Sequence, residues 1–119
     1  MTEEEFPQDV RVRLGRIARE WAQSHGDPFP GSIRMVRTTR AQASGFLNPG
    51  VTSEDVVCYF VVVEGSFVIP RSPRNSPQTG TWVALFIDPA YMVVDGHSLR
   101  PAEGIPARPL ETLGTVCLL

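Results

Sequence analysis

Three stretches of this chain, residues 56–63, 81–87 and 91–94, are apolar on both alternating sets of positions. In 81–87 one set is Trp82, Ala84 and Phe86, and the other is Val83, Leu85 and Ile87. Successive side chains of a strand point to opposite sides of its sheet, so a strand wetted on one side alternates apolar with polar. These stretches therefore require a sheet covered on both sides. One strong helix is available for one side. The other cover has three candidates: the C-terminal tail, a second subunit or a ligand.

The helix spans residues 9–24. Val10, Leu14, Ile17, Ala18, Trp21 and Ala22 recur at spacings of three and four, making one apolar stripe. Arg11, Arg13, Arg16, Arg19, Glu20 and Gln23 fall mostly off it. Pro7 precedes the helix, and Asp9 places negative charge at the positive end of its dipole. His25 caps the far end, Gly26 supplies a left-handed terminus and Pro28 blocks continuation. A mid-helix glycine costs about 1 kcal/mol against alanine, so Gly15 predicts a close helix–sheet contact.

Residues 32–38 read as an edge or half-covered strand, because Ile33 and Met35 oppose Arg34, Val36 and Thr38. Thr39 can cap a short helical turn over residues 40–44, ended by Gly45. A loop over residues 46–55 follows, with Asn48-Pro49-Gly50 as its turn. Glu64-Gly65 fits a two-residue hairpin that returns residues 66–69 as a short strand. Residues 71–80 form a polar loop. Asp88-Pro89-Ala90-Tyr91 fits a type I turn leading into a returning strand over 91–94, and Asp95-Gly96 fits the turn that closes it. The tail, residues 97–119, carries three prolines and then Leu110, Leu113, Val116, Leu118 and Leu119. Such apolarity is a liability when exposed, so the last ten residues should dock on the body as a short strand or helical turn.

Helices placed before a run of antiparallel strands mark an α+β fold. The expected architecture is a single domain over residues 1–119. Its long N-terminal helix packs on a curled antiparallel sheet of four to five strands, and residues 1–7 are frayed. That order, ending in the strand–turn–strand of Thr81 to Asp95, resembles small domains of the PepSY and cystatin-like kind, and Thr38-Thr39-Arg40 after the first strand with Pro77-Gln78-Thr79-Gly80-Thr81 before the penultimate one resembles a set of short uncharacterised bacterial proteins. The PepSY-like last turn, D-x-x-T-G, keeps only its aspartate here, in Asp88-Pro89-Ala90-Tyr91-Met92. The resemblance covers roughly residues 9–95. It implies a cystatin-like sheet and a binding or regulatory module, and it implies no catalytic residues.

The residues give no motif for catalysis, metal or cofactor. Asp95-Gly96-His97-Ser98 gathers an acid, an imidazole and a hydroxyl, but a triad needs groups converging from separate segments. Gly96-His97-Ser98-Leu99-Arg100 departs from G-x-S-x-G at its last position. No C-x-x-C spacing is present, and only His25 and His97 could assist a metal. Cys58 and Cys117 are either two reduced thiols or one bond pinning the tail to the sheet. Glu64 and Glu103 could pair as acid and base only if the tail folds onto the hairpin end.

All eleven cations are arginine, yet the net charge is −2 and no basic patch is interleaved with aromatics. Nucleic acid is therefore not an expected partner. The first ten residues hold Glu3, Glu4, Glu5 and Asp9 where a signal peptide needs a basic region. The longest apolar run, 56–63, has only strand length, so no membrane span is expected. A cytoplasmic location is the default expectation, with an extracytoplasmic fragment as the alternative.

The first functional expectation is a non-catalytic binding or protein-interaction module whose second sheet face is completed by homo-oligomerisation or a protein partner. Its candidate contact residues are Tyr59, Val61, Trp82, Phe86, Tyr91 and Val93. A second expectation is a pocket between helix and sheet for a small ligand or an acid–base reaction, with Asp95, His97 and Tyr59 as its inward-capable groups. In a third, the tail closes the core and partners contact the surface loops of a monomer.

Overall fold

The apolar stripe of the N-terminal helix, α1 (Gln8–Ser24), lies on one side of an antiparallel sheet. A computed structural model describes residues 7–48, 50, 54–69, 78–100 and 110–119. After α1 come β1 (Ser32–Thr39), α2 (Arg40–Leu47), β2 (Val57–Ile69), β3 (Gln78–Ile87) and β4 (Val94–Arg100). A 3-10 turn (Leu110–Leu113) and β5 (Val116–Leu118) complete the order. The strands form one sheet in the order β4-β3-β2-β1-β5, every pair antiparallel. This is the expected α+β fold, a helix on a five-stranded sheet. No helix among the described residues is long and apolar enough to cross a membrane.

Each side of the sheet carries its own core. Leu14, Ala18 and Ala22 of α1 bury against Ile33, Met35, Val61, Val63, Val83, Leu85 and Ile87. On the opposite side Val36, Phe60, Val62, Trp82, Ala84 and Phe86 pack against Ala43 and Phe46 of α2 and against Leu110. Leu47, Leu113 and Val116 border that second core. The second cover is therefore supplied by α2 and by the C-terminal segment, which docks as both a helical turn and a strand, as expected of the last ten residues.

Several local expectations are corrected. Residues 64 and 65 do not form a hairpin. β2 runs straight through them with a register shift between Glu64 and Phe67, and Phe67 goes on to pair with Gly80. The loop after α1 holds this course. The backbone N–H of Ser66 donates to Asp27 Oδ2 at 2.9 Å, that of Val68 to His25 O at 2.8 Å and that of Gly31 to Glu64 O at 2.8 Å. Continuation also buries Phe67, a side chain contributing roughly 1.5–3 kcal/mol, which a turn built on a poorly suited glutamate cannot offset.

β1 is not an edge strand, because β5 pairs with it at Arg34, Met35 and Val36. α2 continues past Gly45 to Leu47, since Phe46 is buried in the second core. The last strand begins at Val94 rather than at 91, and Asp95-Gly96 lies inside it. At Gly15 the atoms nearest to an added Cβ belong to Arg19 rather than to the sheet. The space beside it is filled by the guanidinium of Arg19, folded back one turn. Gly26 takes the left-handed terminus as expected, at φ +103°.

Candidate functional site

Thr39 ends β1 and caps α2, its hydroxyl accepting from the backbone N–H of Gln42 at 3.2 Å. The next residue, Arg40, is tied to the start of β2 by its own N–H, which donates to Val56 O at 2.8 Å. This junction aims the Arg40 side chain across the sheet end. Its guanidinium lies 4.7 Å from the centre of the Phe86 ring and pairs with the carboxylate of Asp95. Phe86 continues inward as an aromatic row, 5.3 Å from Phe60, which in turn meets Phe46 edge-on at 6.1 Å.

A bulge in β4 places the acid. Phe86 pairs with Gly96, but Ile87 pairs with Val94, so Asp95 is the extra residue. Bulges re-aim side chains in this way, and here Asp95 turns toward Arg40. A Cβ at position 96 would lie 2.6 Å from an Arg40 guanidinium nitrogen and 3.4 Å from the Phe86 ring. Glycine at 96 is thus what lets the guanidinium rest on the strand.

The turn between β3 and β4 forms the neighbouring rim. Asp88 Oδ1 accepts from the N–H groups of Ala90 and Tyr91 at 2.7 and 3.2 Å. Asp88 O accepts from Met92 N–H at 2.7 Å, and Asp88 N–H donates to Val93 O at 3.0 Å. Met92 and Val94 pack beneath toward the α1 core. Tyr91 and Val93 project outward, 76% and 51% exposed.

Between this turn and the start of α2 lies a groove of about 590 Å³. Val56, Val57 and Pro89 give it apolar walls, and Glu54, Asp88, Asp95 and Arg40 give it charge. Cys58 also lines it. Burial pushes the Cys58 thiol up to about 11, with the Arg40 charge opposing and the Asp95 charge reinforcing. A thiol held protonated at neutral pH is a poor nucleophile and a poor metal ligand. Among the described residues no group of three or more His, Cys, Asp or Glu is placed to hold a metal ion. The arrangement suits contact with a partly apolar, partly charged surface.

The six candidate contact residues do not lie on one face. Tyr59 and Val61 point to α1, and Trp82 and Phe86 point to α2. The register explains the split, because Tyr59 lies opposite Ile87 and Phe60 lies opposite Phe86. Tyr91 and Val93 lie on the β3–β4 turn, bonded through their backbones to Asp88, which lines the groove. Nor do Asp95, His97 and Tyr59 converge. Asp95 meets Arg40, whereas His97 pairs in register with Leu85 and its ring lies 5.7 Å from Trp21 on the α1 side. His25, the expected helix cap, stacks on that same indole at 3.8 Å, and its Nδ1 is 2.7 Å from Trp21 O. Glu64 accepts from the Ser32 hydroxyl at 2.6 Å, and its expected mate Glu103 lies outside the described residues.

Cys58 and Cys117 are free thiols. They flank β1 at Thr38 and Met35, and they belong to opposite cores. A bond needs Cα atoms within about 7 Å, and this placement does not allow it.

Arg40 and Gly96 were the site residues least visible in the sequence. A glycine inside a strand marks a close approach, and that is the signal Gly96 carried. No family model matches this chain, and no curated protein or solved structure matches it either.

Proposed function

We propose that this protein is a non-catalytic interaction module that binds a protein partner at the sheet-end groove. One observation carries the reading. Both sheet faces are filled by the chain's own elements, while Val56 and Val57 remain exposed in one charged groove and Tyr91 and Val93 remain exposed on the turn whose Asp88 and Pro89 line it. Interfaces combine apolar and aromatic anchors with a polar rim, and this sheet end has that composition. The likeness to PepSY-like and cystatin-like modules points to binding as well, at the level of fold analogy. A second reading, a small ligand, draws on the groove volume of about 590 Å³, which is of small-molecule size.

The test uses a displayed random-peptide library panned on the immobilised chain. Selected peptides should bind wild type and lose at least about tenfold in affinity on the Val57→Glu/Val93→Glu variant, a change of ~1.4 kcal/mol. Both positions are about half exposed, so the fold should survive, as circular dichroism would verify. Peptides that bind both proteins equally would overturn the reading.

A further inference from the structure

Eight large apolar side chains are exposed among the described residues. Apart from Val68, they fall on two surfaces. Val56 and Val57 line the sheet-end groove, and Tyr91 and Val93 lie on the β3–β4 turn, whose Asp88 and Pro89 line it. Val12, Phe29 and Leu118 lie along the edge where α1 runs beside β5. That edge carries two grooves of about 190 and 240 Å³, which adjoin because Arg19 and Leu119 line both.

The two surfaces are alike in apolarity and opposite in charge. Among the described residues, the sheet-end groove is lined by Glu54, Asp88 and Asp95 against Arg40, which Asp95 already pairs. Among the described residues, the α1–β5 grooves are lined by the charged side chains of Arg11 and Arg19, with no Asp or Glu. They share no lining residue with the sheet-end groove.

We infer that the chain assembles head to tail, the sheet-end groove of one copy receiving the α1–β5 edge of a second copy. This rests on the reading of the groove as a protein-docking surface and names its occupant. Charge decides the geometry. Pairing either surface with itself, as a two-fold dimer requires, sets like charges against each other. Pairing the two unlike surfaces sets carboxylates against guanidiniums around apolar contacts. Such a contact leaves one free groove and one free edge on every assembly, so growth continues until a ring closes or a filament forms.

The experiment is light scattering behind a sizing column on the full chain under reducing conditions, at concentrations up to about 1 mM, which reaches weak contacts. The wild-type mass should rise with concentration beyond a dimer and fall as salt screens the charges. Two blocked proteins then separate the geometries. The groove-blocked variant is Val57→Glu/Val93→Glu, and the edge-blocked variant is Val12→Glu/Leu118→Glu. Each should be monomeric alone. Their equimolar mixture should form a dimer and nothing larger, since it offers one intact groove to one intact edge.

Arg11→Glu, a single surface change, should lower the wild-type mass and weaken its salt response. It serves if a double variant misfolds. A wild-type monomer at every concentration overturns the inference, as does a mixture of folded variants that stays monomeric. A monomer whose selected peptides still depend on Val57 and Val93 overturns only the self-assembly. Peptides indifferent to those residues overturn the docking reading beneath it.

Discussion

Arg40 is held by three neighbours of different kinds: the Phe86 ring beneath it, the Asp95 carboxylate beside it and the bare backbone of Gly96. None is strong alone. A partly exposed cation–π contact contributes roughly 0.5–1 kcal/mol, and a half-exposed ion pair about 0–1 kcal/mol. Their shared dependence on Gly96 makes them couple. Gly96→Ala places a methyl where the guanidinium tip lies, so it should displace Arg40 and lose up to about 1–2 kcal/mol of its cation–π and ion-pair contacts. In an Arg40→Ala background the obstruction is gone, and alanine is favoured over glycine in a strand by roughly 0.5–1 kcal/mol. The second substitution should then be neutral or stabilising. Urea denaturation of the four proteins in a double-mutant cycle reads this directly. Additive losses would mean that Arg40 and Gly96 are independent. The sequence allowed Gly96 two meanings, because Asp-Gly is also a common turn pair. Only the register of β4 against β3, a non-local fact, selects the close approach over the turn.

Elements were legible where the pattern was long or chemically explicit. α1 declares itself by its stripe and its Gly26 terminus, and Thr39 declares the start of α2. Elements failed where a local signal competed with burial. Glu64-Gly65 has hairpin form, but Asp27, thirty-nine residues before Ser66, bonds its N–H and keeps the strand straight. Gly45 has the form of a helix stop, but Phe46 gains a core position by continuing. The doubly apolar strands correctly demanded two covers, and pattern alone did not say that a helix of eight residues and a tail segment together make the second. Their division of labour gives a prediction. Removing residues 110–119 takes Leu110, Leu113 and Val116 from the second core, takes the partly buried Cys117 and Leu119 from the border of the α1 core, and leaves the buried residues of the α1 core in place. An apolar dye should bind more strongly to the truncated chain while far-ultraviolet circular dichroism keeps its helical signal. Unchanged dye binding would show that α2 alone suffices as the cover.

At the scale of the whole molecule, β1, β2 and β3 contribute to both cores, so neither can melt without disturbing the sheet they share. A domain of this size and architecture should unfold in one cooperative step, and a perturbation inside one core should appear in the global stability. Cys58 provides such a perturbation without a change of shape. In the unfolded chain its thiol has the ordinary value of 9.0, and burial in the fold raises it to about 11. Below the lower value both states hold the proton, and the thiol adds no pH dependence. Between the two values the unfolded state releases its proton while the folded state keeps it. The unfolded state then binds fewer protons, so stability falls as pH rises through that window and levels off above the upper value. Cys58→Ala should be less stable at neutral pH, because it leaves a small cavity, yet lose less stability from pH 9.0 to about 11. Every other side chain is common to the two proteins, so the difference between the two curves isolates the thiol. Urea midpoints of wild type and variant across that range make the comparison. Curves that stay parallel would place the alkaline loss in some other group and would show that the Cys58 environment is wet enough to ionise in the folded state.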